Sequence, residues 1–244
     1  MLATAAGSQI SLWDMRTHAL IRTLVTPEMH VRVVTRVLWS PDGTTIAASV
    51  GAPYRGGFGY SAGRVLLWDA ATGALKRTLE HPNGVDVESL AYSPDGRWIA
   101  SGSQGQSSVC VWEAGTGALR HTFPMGGVVW SVAFSPDSKS IAAGSSGKHA
   151  IVWDVATGRQ KHLFDAHDHL VLSVAFSRDG RTLATGSYDE TLRLWDLRSS
   201  RLTHRVPMGG WVHALEFSPS GKSLAIGLRA KQGALRLWEL PLGP

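Results

Sequence analysis

A chain of 244 residues with an apolar fraction of 43% carries enough hydrophobic material for a sizeable core. Its single cysteine, Cys110, excludes an internal disulfide and with it a secreted disulfide scaffold; within VCVWE it reads as a buried, inert strand residue. A net charge of +5 permits an acidic partner, while the lack of a transmembrane-length apolar run or a basic-then-apolar leader leads us to expect a cytoplasmic protein.

From the N-terminus, MLATAAG reads as a strand because it lines up with IAASVG and IAAGSS further on, and ISLWD and IRTLV follow as two more. Residues 27–40 lead into Ser40-Pro41-Asp42-Gly43, a tight turn in which proline presets φ and glycine accepts a positive φ. The turn recurs as Ser93-Pro94-Asp95-Gly96 and Ser177-Arg178-Asp179-Gly180. The fullest copy of the pattern is His167 to Asp196, HDHLVLSVAFSRDGRTLATGSYDETLRLWD, with three strand-like runs and two turns. Turns such as Ala70-Ala71-Thr72-Gly73 and Val155-Ala156-Thr157-Gly158 then lead into a fourth strand such as LKRTLE. Four short antiparallel strands make a sheet too small to bury its own faces, so the six copies must pack on one another in one continuous array over residues 1–244.

Several stretches depart from the pattern. GAPYRGGFGYSAG, Gly51 to Gly63, replaces a turn of three or four residues and carries Tyr54, Arg55, Phe58 and Tyr60 among glycines. Those residues suit either adaptable contacts to a ligand or a tolerated surface insertion. It is no phosphate loop, since no Gly-Lys-Ser/Thr closes it. Pro124-Met125-Gly126-Gly127 and Pro207-Met208-Gly209-Gly210 introduce the fourth and sixth copies, with Trp130 and Trp211 just after. Arg22, Lys76, Arg77, Arg120, Lys161 and Arg205 fall in the fourth strands. Charged edges deter sheet-to-sheet aggregation; the alternative is a polyanion-binding rim, although no concentrated stripe with interleaved aromatics marks a nucleic-acid reader.

The copies end in Trp-Asp or Trp-Glu at Trp13, Trp68, Trp112, Trp153, Trp195 and Trp238, spaced 41 to 44 residues apart after a first interval of 55. With their matched turns they resemble the WD repeat, and the likeness covers nearly the whole chain. That resemblance implies an all-β fold, a β-propeller of six four-stranded-type blades. The first blade is expected to lack its first strand and the last to lack its fourth, which suggests a truncated array or part of a larger propeller. It also implies a structural relay from Trp195 through Thr185 (or Ser187) and His167 to Asp189, which only this copy keeps in full. The third copy has His81 and Ser101 without the Asp, and the fourth and sixth have Met125 and Met208 near the His position.

Strand direction alternates, so the long loop shares a face with every connection between copies. Aligning the first strands puts Thr35, Glu88, Trp130, Leu172 and His213 one step in from that face, with Trp211 two residues upstream. By resemblance, these ring a channel mouth where partner peptides dock, or they pack over neighbouring blades. Trp98 starts a second strand at the opposite face and reads as packing. His167-Asp168-His169 is no metal site on this reading, because the relay already claims His167 and no clustered ligand set accompanies it. No nucleophile elbow or carboxylate pair is present. The expectation is a non-catalytic scaffold for a protein or peptide partner, with no cofactor or metal. No membrane or small-molecule substrate is expected, and nucleic acid is disfavoured. The alternatives are a regulatory array of a larger multidomain enzyme and polyanion binding through the basic edges.

Overall fold

A computed structural model describes residues 1–26, 33–51, 63–82, 86–104, 108–165, 167–229 and 233–240. Among these the chain is all-β, with six antiparallel sheets of three or four strands and no helix. Blade one holds β1 (Leu2–Ala6), β2 (Gln9–Trp13) and β3 (Leu20–Val25). Blade two holds β4 (Val33–Trp39), β5 (Thr45–Gly51), β6 (Arg64–Asp69) and β7 (Leu75–Glu80). Blade three holds β8 (Val87–Tyr92), β9 (Trp98–Ser103), β10 (Ser108–Glu113) and β11 (Leu119–Pro124). Blade four holds β12 (Val129–Phe134), β13 (Ser140–Ser145), β14 (His149–Asp154) and β15 (Gln160–Asp165). Blade five holds β16 (Val171–Phe176), β17 (Thr182–Ser187), β18 (Thr191–Asp196) and β19 (Arg201–Pro207). Blade six holds β20 (Trp211–Phe217), β21 (Ser223–Arg229) and β22 (Ala234–Glu239). The first and last sheets have three strands each, as the sequence predicts. Two compact units result, Met1–Pro124 with blades one to three and Met125–Pro244 with blades four to six.

The turn between the first and second strands builds itself from its own side chains. In blade two the Ser40 hydroxyl donates to Asp42 at 2.6 Å and accepts the Thr45 N–H at 2.9 Å, while Asp42 accepts the Thr44 N–H at 3.0 Å. Ser135 with Asp137 and Ser177 with Asp179 repeat this geometry. The serine bonds foremost hold the carboxyls of Asp42, Asp137 and Asp179 below their ordinary value.

Within each unit the core lies between consecutive sheets. Ile10, Leu12 and Leu24 of blade one meet Ile46, Val50 and Trp68 of blade two. In the second unit Leu192 and Leu194 of blade five meet Val212, Leu215, Leu224 and Ile226 of blade six. The second strands of blades four and five carry glycine where the next blade comes close: a Cβ on Gly144 would lie 2.6 Å from Val171 Cγ1, and one on Gly186 would overlap Val212.

One position of the fourth strand, opposite the residue before each Trp, also reaches across the seam. Arg22 donates to the carbonyls of Ala71 and Thr72, Arg77 to that of Gly115, and His162 lies 2.7 Å from Ser200 Oγ. Gly73 has φ +75° and receives the Arg22 stem where any Cβ would collide with it, so this turn needs glycine twice over.

TLRLWD of blade five and ALRLWE of blade six carry the same two leucines, Leu192 and Leu194 against Leu235 and Leu237. The first pair is 0% and 4% exposed beneath blade six, the second 77% and 75% exposed. Leu194→Ala should therefore cost about 2–5 kcal/mol in chemical denaturation. Leu237→Ala should stay within about 0.5 kcal/mol of wild type. Equal costs would contradict this packing.

Candidate functional site

Each first strand from blade two to blade six breaks its pairing register once, and at the same place. Pairing runs from Val34 to Arg36, Val87 to Ser89, Val129 to Ser131, Val171 to Ser173 and Val212 to Ala214. The residues passed over are Thr35, Glu88, Trp130, Leu172 and His213, the five that sequence alignment set at a channel mouth. A bulge leaves its extra residue out of the ladder and re-aims its side chain, so the backbone itself presents these five.

Their uses differ. Thr35 donates its hydroxyl to the Val87 carbonyl of the next blade at 2.7 Å, and Leu172 is buried at 7% exposure. Glu88 accepts from Gln104 Nε2 at 2.7 Å. Trp130 is half-buried and His213 exposed. Thr35 and Glu88 belong to the first unit, and Trp130, Leu172, Trp211 and His213 to the second. Tyr54, Arg55, Phe58 and Tyr60 lie outside the described residues. Trp39 packs into the seam between blades one and two, and Trp98 sits beneath the guanidinium of Arg97 at 5.5 Å.

Trp211 has company that the sequence did not announce. Its ring stacks on Tyr188 with centroids 3.8 Å apart, Tyr188 stacks on His169 at 4.4 Å, and Arg229 lies over Trp211 at 5.4 Å. In sequence Tyr188 is only a turn residue and His169 lies two residues from His167. The two histidines in fact diverge, His169 into this stack and His167 into the blade.

There His167 joins the relay. Trp195 Nε1 donates to Thr185 Oγ1 at 2.9 Å, Thr185 Oγ1 lies 2.7 Å from His167 Nε2, and His167 Nδ1 lies 2.9 Å from Asp189 Oδ2. An ionised Asp189 accepts from Nδ1, so Nε2 accepts the threonine hydroxyl and every donor has an acceptor. Thr185 fills the hydroxyl position; Ser187 instead bonds the Asp189 N–H and the His169 carbonyl. Arg193 adds its guanidinium to Asp189 at 3.3 Å. In blades three and one the described bonds stop at the hydroxyl. Trp112 donates to Ser101 at 3.0 Å and Trp13 to Thr4 at 2.9 Å, while blades two and four put Ala48 and Ala143 at the Thr185 position. Met125 and Met208 are buried. Burial pushes the Cys110 thiol up to about 11, which suits an inert thiol.

The basic edge residues are largely engaged. Besides Arg22 and Arg77, Lys76 pairs with Asp69, Lys161 with Asp154, and Arg205 with Asp168. A cleft of about 510 Å³ between blades four and five, at the serine-aspartate turns, mixes Lys161 and Arg178 with Asp137 and Asp179. Such mixed charge suits a polyanion poorly.

Burial foremost, and Arg193 with it, holds His167 below its ordinary 6.5 against the pull of Asp189. For Asp189, burial raises the carboxyl, but bonds from His167, Thr191 and the Asp168 N–H outweigh it and leave the group below 3.8. Both shifts make the unfolded chain bind more protons in acid, so the stability they confer is complete above pH 6.5 and is lost as pH falls. The melting temperature should thus be flat just above neutrality, short of the alkaline range where the buried Cys110 thiol matters, and drop below pH 6.5. His167→Gln should lower it at neutral pH, by about 1–3 kcal/mol in stability. The variant should also flatten part of the acid limb, with His81 and His162, likewise held down by burial, and the lowered aspartates supplying the rest. An unchanged acid limb in His167→Gln melts would refute the assignment.

Residues 73–113, 117–154 and 158–196 match the family model for the WD domain, G-beta repeat. Among curated proteins, "Centriole proteome protein 16" of Chlamydomonas reinhardtii is 46% identical over 57 residues, 22% of this chain. The match spans 3% of that relative's length. Among solved structures, a chain of "Crystal Structure of Mitotic Checkpoint Complex" superposes with a TM-score of 0.85 at 21% identity. The superposition covers 98% of this chain and 73% of that one, a likeness of fold. With six small antiparallel sheets, Trp-Asp strand ends and a complete Trp-Thr-His-Asp relay, the chain belongs to the WD-repeat family and has the β-propeller fold.

Proposed function

We propose that this protein is a non-catalytic scaffold that holds a segment of a partner protein at the first-strand bulges of its second unit. WD-repeat propellers generally act as such scaffolds, and the carrying observation is a contrast inside the repeat. The bulge recurs in the same place in five blades, yet its residues are Thr35, Glu88, Trp130, Leu172 and His213. The strand residues that follow repeat closely, as SVAFS does in blades four and five. Packing demands similar side chains at equivalent positions, so a conserved backbone device holding five unlike side chains suits recognition of an unlike surface. In the second unit Trp130, Trp211 and His213 combine large apolar area with a polar tip, the composition of interface anchors.

Affinity capture with quantitative mass spectrometry, wild type beside Trp130→Ala/Trp211→Ala, tests the reading. Proteins retained by wild type should fall about 30-fold or more with the double variant, as the loss of a central aromatic anchor does. Matched melting curves would show that folding is intact. Equal retention by the two proteins would sink the proposal.

A further inference from the structure

The first and second strands of a blade meet at their ends through one recurring backbone bond. Gln104 N–H donates to Asp86 O at 3.0 Å, Ser146 N–H to Val128 O at 2.9 Å, and Tyr188 N–H to Leu170 O at 2.9 Å. Trp211 and Arg229 are the corresponding pair of blade six. The backbone thus repeats while the side chains run Asp with Gln, Val with Ser, Leu with Tyr, and Trp with Arg. Nothing in the blade's construction calls for aromatic rings here. Yet at the seam of blades five and six these positions supply Tyr188, Trp211 and Arg229, and His169 from the preceding connection completes a column.

The column is held before any partner arrives. His169 Nδ1 accepts the Leu170 N–H at 2.9 Å, and the His169 carbonyl accepts from Ser187 Oγ at 3.3 Å. Tyr188 is fixed by its own backbone bond, and Trp211 by strand pairing with Arg229. Tyr188 and Trp211 are half-buried, whereas His169 and Arg229 at the ends are exposed. Arg229 forms no ion pair among the described residues. Two other arginines of this unit differ: Arg193 and Arg205 both reach Asp168 at 3.5 Å, the carboxylate next in sequence to His169. Arg229 therefore presents a guanidinium oriented by an indole face, with its planar fork of donors unspent.

We propose that the column of His169, Tyr188, Trp211 and Arg229 anchors an acidic partner segment. A carboxylate of that segment pairs with Arg229, and a neighbouring apolar side chain lies on the rims of Tyr188 and Trp211. The inference rests on the scaffold reading and gives it a ligand chemistry. Charge complementarity selects the occupant: a forked cation without an acid, on a chain of net charge +5, takes a carboxylate. The rings supply the apolar half of the contact at little entropic cost, because they are already in place.

The test uses two blocked peptides, acetyl-Gly-Glu-Leu-Glu-Gly-amide and acetyl-Gly-Gln-Leu-Gln-Gly-amide, titrated into the full chain and followed by NMR. The signals read are the indole N–H of Trp211 and the guanidinium Nε–H of Arg229. The glutamate peptide should shift both signals and bind about five-fold or more tightly than its glutamine twin, the return expected of one charge-assisted pair. Arg229→Gln should abolish that preference without moving the melting temperature, since Arg229 is exposed. Arg229→Lys should restore it only in part, because an ammonium lacks the fork. Equal binding of the two peptides, shifts confined to Trp130 and His213, or no shift at all would each overturn the anchor. The capture experiment with Trp130→Ala/Trp211→Ala judges the scaffold reading separately, so the two can fail independently.

Discussion

A valine of one blade seated on a glycine of the blade before it sets how closely the sheets pack. Val171 lies against Gly144 and Val212 against Gly186, distances that leave no room for a Cβ. Because each sheet has only three or four strands, its apolar faces are buried by neighbours and not by its own fold. The close approach lets Leu192 and Leu194 meet Leu224 and Ile226, and it brings the fourth-strand Arg or His within reach of the next blade's turn. Loosening that contact would therefore weaken the core and the polar clasp at the rim together.

What could be read from the sequence follows from how local the causes are. The serine-aspartate turns, the strand alternation and the three-stranded first and last sheets all rest on residues close in the chain. The relay was legible despite its span from His167 to Trp195, because the motif fixes all four positions within one repeat. The bulges were legible only in effect: alignment found the five residues that fail to repeat, and the structure supplies the reason they can. Two things escaped. Arg22 and Arg77 read as edge charges that keep sheets apart, yet they cap carbonyls across the seam, a contact joining residues about fifty and forty positions apart. The column escaped for the same reason, since His169, Tyr188 and Arg229 come from a connection, a turn and a strand end far apart in the chain and carry no motif.

The blades are unequally built, and the inequality has a pattern. Blade three stops its relay at Ser101, with Cys110 where blade five has Arg193. Blades two and four put alanine at the hydroxyl position. Among the described residues, only blade five satisfies the indole, the hydroxyl, the imidazole and the carboxylate in one chain. Such a fully satisfied buried network fixes geometry beyond what apolar contact requires, because each member has a single good orientation.

That rigidity is delivered next to the column. His167 and Asp189 end the relay, and the residues adjoining them are Asp168, which leads into His169, and Tyr188. Asp189 further binds the Asp168 N–H at 3.0 Å, tying the connection that carries His169 to the turn that carries Tyr188. Two of the three stacked rings are thus held by the best-determined polar network among the described residues, and the third, Trp211, is held by strand pairing in the adjacent blade. A surface that must receive a partner gains affinity when its anchors lose little freedom on binding. The complete relay thus adjoins the end of the column that blade five supplies, and the buried network supplies the order that the exposed rings would otherwise have to acquire from the ligand.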